Sequence, residues 1–96
     1  MAKVEVRKQH ALPVEEAAAR VRQIADEFVE QYGRLKPRLN WAADGTSGSV
    51  EGKGFTARFD VRENEVVITV NLGLLASAAK GTVERTLRER LDAAFG

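Results

Sequence analysis

Apolar residues recur along this chain with two different periods, and the switch from one to the other marks out its elements. Val4 and Val6 alternate with Lys3, Glu5 and Arg7, the two-residue period of a half-buried strand. Residues 9–13 turn the chain. Pro13 suits entry to a helix, because it has no N–H to leave unpaired, and Glu15 and Glu16 fall in the first turn where the helix dipole favours them. From Val14 the apolar positions are Ala17, Ala18, Val21, Ile24, Ala25, Phe28, Val29 and Tyr32. At a helical repeat they occupy an arc of roughly 140°, which predicts an amphipathic helix ending at Gly33.

The period then returns to two. Leu39, Trp41 and Ala43 predict a second strand, and Asp44-Gly45 a tight turn. Residues 47–53 read as a glycine-rich third strand around Val50. Phe55, Ala57, Phe59 and Val61 share one face of a fourth strand, and Val66, Ile68, Val70 and Leu72 one face of a fifth. The turn at residues 62–64 makes these two an antiparallel hairpin. After a short apolar segment at residues 74–79, a last helix opens at Gly81 or Thr82 with an inner stripe of Val83, Leu87, Leu91, Ala94 and Phe95.

Each helix has one apolar stripe and each clear strand one apolar face. The economical arrangement is a two-layer α+β domain, an antiparallel sheet with both helices on one side in the order β-α-β-β-β-β-α. The stretch Gly52-Lys53-Gly54 is the one that looks most like chemistry. A phosphate-binding loop needs G-x-x-x-x-G-K-[ST] between a strand and a helix. Here the lysine lies between two strands with no Ser or Thr after it, so the glycines are read as a bend and the lysine as solvated.

At 96 residues the chain is one domain, residues 1–96, able to bury a core without covalent staples. Fifteen basic and fourteen acidic residues are interspersed, which argues against a nucleic-acid binder. Cysteine is absent, so thiolate chemistry and cysteine metal sites are excluded. With His10 as the only histidine, the sequence argues against a tight transition-metal site, and no metal or cofactor is expected. The opening residues lack the apolar run of a signal sequence and no segment is long and apolar enough to span a membrane, so a cytoplasmic location is expected and an integral membrane protein is not.

No catalytic set emerges. His10 reads as a loop histidine, the carboxylates as solvated groups opposite basic residues, and the serines lack a nucleophile motif. Trp41 reads as a packing residue. The segment holding Leu74, Leu75 and Ala78 either closes the core or offers an apolar edge to a partner.

The stretches VEVRKQHAL, EEAAARVRQIADEFVEQYG, LNWAADGTSGSVEGKGFTARFDVRENEVVITVNLGLL and TVERTLRERLDAAF together resemble the polyhydroxyalkanoic acid system proteins, a small bacterial family associated with polyester storage granules. The recurrent features are His10, Ala17 and Ala18, Tyr32-Gly33, Trp41, Gly52 and Gly54, and the run Leu72-Gly73-Leu74-Leu75. One departure is DGTSGS at residues 44–49, where the family tends to a more apolar strand. The resemblance implies no active site. Together with the lack of a catalytic set, it implies a non-enzymatic accessory protein of polyhydroxyalkanoate storage that binds a granule component or protein partner; if that contact is apolar, the 74–79 segment, with Leu74, Leu75 and Ala78, is where the residues themselves place it. The alternative is an acyl-chain binder with a cavity between sheet and helices lined by Phe28, Trp41, Phe55 and Phe59. A homodimer joined through sheet edges or the polar sheet face is compatible with either.

Overall fold

The period-two runs pair into one antiparallel sheet, and the two helices cover one of its faces. The computed structural model describes residues 2–96, the side chain of Leu75 excepted. In chain order the elements are β1 (Ala2–Gln9), α1 (Val14–Gln31), a 3₁₀ helix (Gly33–Leu35), β2 (Arg38–Trp41), β3 (Ser47–Gly52), β4 (Phe55–Val61), β5 (Glu65–Leu72), a second 3₁₀ helix (Leu74–Ala79) and α2 (Lys80–Phe95). The α+β class and the order of elements are those the sequence predicts. The five strands lie in the order β1-β5-β4-β3-β2, so β1 and β2, neighbours in sequence, form opposite edges.

The register places every inward residue of one strand opposite an inward residue of the next. Val4 faces Val70, which faces Ala57, which faces Val50, which faces Leu39. Because side chains alternate along a strand, this single alignment gathers Val6, Ile68 and Phe59 on the same face. The core is completed from above by Val21, Ile24, Ala25 and Phe28 of α1 and by Val83, Leu87 and Leu91 of α2. The opposite face carries Glu5, Arg7, Arg58, Asp60, Thr69 and Asn71 and is open. Val67 lies on that face but is only 5% exposed, flanked across the strands by Arg7 and Asp60. Long polar side chains shield apolar surface in this way while their charged ends stay in water.

Local structure departs from the sequence expectation at two places. The helix stops just before Gly33, as the sequence predicts, but the glycine is not the left-handed residue. Tyr32 caps the helix, residues 33–35 continue as a 3₁₀ turn, and the left-handed residue is Lys36 (φ 51°), just before Pro37. Ala43 is not part of β2. The strand stops at Trp41 and Ala43 is exposed in the turn, where Gly45 (φ 73°) and the Asp44 carboxylate, accepting a hydrogen bond from the Thr46 N–H at 3.0 Å, reverse the chain.

The helices run antiparallel, since Arg20 near the start of α1 reaches the Ala94 carbonyl near the end of α2 and Arg90 pairs with Glu27. Arg90 also donates to Gln31 at 3.3 Å. At this end a polar groove of about 340 Å³ between the helices is bridged by these arginines. Lys8 of β1 reaches Asp92 of α2 at 2.9 Å and ties the helix to the sheet edge.

Candidate functional site

Beyond the Arg90 bridge to Gln31, toward the start of α2, a cleft of about 420 Å³ opens between the two helices. Its floor is the end of the sheet, Phe55 of β4 and Leu72 of β5. One wall comes from Phe28 and Tyr32 of α1 and Leu35 of the first 3₁₀ helix. The other comes from Ala76 and Ala79 of the second 3₁₀ helix and Val83 of α2, and Lys53 and Gly54 form the rim. The aromatic wall is a packed unit, with Phe28 4.6 Å from Tyr32 and 6.4 Å edge-on from Phe55 between ring centroids.

The glycine-lysine-glycine stretch builds this rim. Residues 53 and 54 form the tight connection between β3 and β4, and Gly54 takes a left-handed φ of 83° that glycine adopts without strain. The Lys53 N–H donates to the Leu35 carbonyl at 3.0 Å, and the Gly73 N–H donates to the Gly54 carbonyl at 2.7 Å. The hairpin tip is therefore tied on one side to the end of α1 and on the other to the start of the second 3₁₀ helix. Gly52 makes room for the floor, since a Cβ there would lie 2.4 Å from the Phe55 ring.

Of the four aromatic residues expected to line a cavity, Phe28 and Phe55 do so. Trp41 and Phe59 stack on each other with centroids 5.9 Å apart, farther along the sheet, where the Trp41 ring lies over Gly48. Tyr32, Leu35, Lys53, Leu72, Ala76, Ala79 and Val83 join the cleft without having been singled out as lining. They come from separate segments, and only the tertiary fold brings them together. The sequence signal that bore on one of them was the Lys53 setting itself, a lysine between two glycines at a strand corner.

Leu74 is 81% exposed, the one large hydrophobic residue so placed among the described residues. Ala78 and Ala79 are exposed beside it, so the second 3₁₀ helix presents an apolar outer side while its Ala76 and Ala79 line the cleft. The segment is held at its start by the Ser77 hydroxyl, which donates to the Gly73 carbonyl at 3.0 Å. Leu75, named with Leu74 and Ala78 as a contact residue, has its side chain outside the described residues.

His10 has a structural role. The Leu12 N–H donates to its Nδ1 at 3.1 Å, which leaves Nε2 to carry the proton and donate to the Arg62 carbonyl at 2.9 Å. Its ring also packs 5.6 Å from Phe95. Nδ1 thus braces the loop after β1 on itself, and Nε2 joins that loop to the turn after β4.

Among the described residues there is no buried polar or charged side chain and no group of three or more His, Cys, Asp or Glu placed to hold a metal. The Asp44 carboxyl is held below the ordinary aspartate range, chiefly by the Thr46 N–H and then by the Thr46 hydroxyl. A carboxyl lowered on folding stabilises the fold above its unfolded pKa and loses that contribution as pH falls through the folded value, so this turn loosens only in acid. No helix among the described residues is long and apolar enough to cross a membrane.

No curated protein and no solved structure matches the chain significantly. A family described as "Putative polyhydroxyalkanoic acid system protein" matches residues 4–95, which takes in β2 to β5, all of β1 but its first two residues, both helices and the whole cleft. The chain belongs to the polyhydroxyalkanoic acid system protein family.

Proposed function

We propose that this protein is a non-enzymatic accessory factor of polyhydroxyalkanoate storage in the cytoplasm, acting by apolar contact with a granule component. Family membership supplies the setting. The observation that carries the contact is Leu74, held 81% exposed on a short helix whose other outward residues are small and apolar. A leucine set among exposed alanines gives an apolar surface a place to dock, and burying that one side chain is worth about 1.5–3 kcal/mol. The non-enzymatic reading draws support from the side chains themselves. Acid-base and nucleophilic groups are usually tuned by burial or by a neighbouring charge, and here they lie on solvated faces.

The test is cosedimentation of the purified protein with native granules and with granules stripped of protein. Binding to stripped polymer, reduced roughly ten-fold or more in Leu74→Asp, is the expected result, the factor following from the lost burial of one leucine. Leu74→Asp keeps its circular dichroism spectrum because the side chain is outside the core. Binding to native granules alone assigns the contact to a protein partner, and binding to neither overturns the proposal.

A second reading is favoured by the cleft. Its apolar lining and its volume of about 420 Å³ suit a small acyl-chain ligand, being within the range of about 300–1,000 Å³ common for ligand sites.

A further inference from the structure

We propose that the cleft takes a single short or medium acyl chain whose carboxylate is held at the mouth by Lys53, an inference that rests on the second reading above. The walls are aromatic and aliphatic, and the two polar side chains on them are Tyr32 and Lys53. No carboxylate lines the cleft, and Lys53 has no carboxylate within ion-pair distance among the described residues. Arg34 and Lys36, the exposed neighbours of Leu35 in sequence, add positive charge beside the same rim. A cationic head group meets repulsion there, and a wholly apolar ligand leaves the ammonium ion covered without a counter-charge. A carboxylate satisfies it.

The rim is suited to this because the backbone of Lys53 and Gly54 is fixed on both sides, to Leu35 and to Gly73. The ammonium group therefore hangs from an anchored hairpin tip. Ala76, Ala79 and Gly54 put small residues on the lining, leaving a passage beside the aromatic wall that a bulkier side chain would fill and that suits a slender chain.

The experiment is an amide-shift NMR titration of the whole protein with octanoate, methyl octanoate and octylamine at low salt, repeated for Lys53→Gln and Ala79→Trp. Octanoate is expected to shift Gly54, Phe55, Leu72 and Val83. Lys53→Gln weakens it about five-fold, the scale of a solvent-exposed ion pair, and the difference shrinks at high salt. Ala79→Trp fills the passage and removes binding while the remaining spectrum keeps its dispersion. Methyl octanoate or octylamine binding as tightly as octanoate, or octanoate binding unchanged in Lys53→Gln, overturns the carboxylate assignment and leaves the apolar cleft reading standing. Shifts confined to residues outside the cleft, or no binding by any of the three, overturn both. Neither result touches the granule contact through Leu74, which cosedimentation decides.

Discussion

Gly48 and Gly52 stand in the inward phase of β3, where the pattern of the sheet calls for large side chains. Each is instead the seat of an aromatic ring from the neighbouring strand. A Cβ at Gly48 would lie 2.6 Å from the Trp41 ring and 2.9 Å from the Asn40 carbonyl, and one at Gly52 2.4 Å from the Phe55 ring and 3.1 Å from the Leu35 carbonyl. Covering a strand glycine with a cross-strand aromatic recovers the contact area that the glycine lacks. Phe55 is buried and braced by Phe28, so it has nowhere to move without disturbing the cleft floor. Gly52→Ala is therefore expected to cost about 1–3 kcal/mol, the range for overpacking a fixed core, read as a lower urea midpoint at unchanged slope. An unchanged midpoint would mean that the ring yields freely. In sequence Gly52 reads as part of a bend and Gly48 as part of a glycine-rich strand, and their position in the chain was legible. Their role as ring seats was not, because it depends on which strand lies alongside.

At the scale of elements, the helices differ in what holds them. α2 is fixed by Val83, Leu87 and Leu91 against the sheet, with Leu87 and Leu91 each about 1% exposed. Its polar link to α1 is through the exposed Arg20 and the half-buried Arg90. Burial decides stability here. Leu87→Ala is expected to lose about 2–5 kcal/mol in chemical unfolding, whereas Arg90→Ala loses about 1 kcal/mol or less. Equal losses would show that the arginine clamp carries a share that surface pairs do not normally carry.

Periodicity located all five strands and both helices, because inward and outward residues differ sharply in polarity along β1, β4, β5 and α1. It failed where the reason for a conformation is not a local pattern. The left-handed residue falls at Lys36 and not at a glycine, and the burial of Val67 on the open face depends on Arg7 and Asp60, neighbours distant in sequence. The cleft was half legible for the same reason. Phe28 and Phe55 are inward residues near the ends of their elements, but nothing in a linear pattern tells Phe55 from Phe59, four residues farther on. The sheet order separates them, one at the open end and the other beneath Trp41.

Taken whole, the molecule has one core running the length of the sheet, with a Cα radius of gyration of 12.7 Å, close to the roughly 12–13 Å expected for a single compact domain of this length. Trp41 reports on the β2 edge and far-ultraviolet circular dichroism mainly on the helices. A continuous core makes these report one transition, so their urea midpoints are expected to coincide. Separate midpoints would divide the β2–β3 end from the rest and overturn the picture of a single cooperative unit.

The separation of β1 and β2 to opposite edges reaches beyond the finished structure. Ala2 pairs with Leu72 and Gln9 with Glu65, so β1 has no partner strand until most of the chain has been made. During synthesis its row of N–H and C=O groups waits while α1 and three further strands emerge, and β5 then closes the sheet on it. Pairing so distant in sequence slows folding and leaves a strand open to the wrong partner in the meantime. The alternating Lys3, Glu5 and Arg7 put charge on one face of that waiting strand, and charge along an open edge disfavours pairing with a wrong partner.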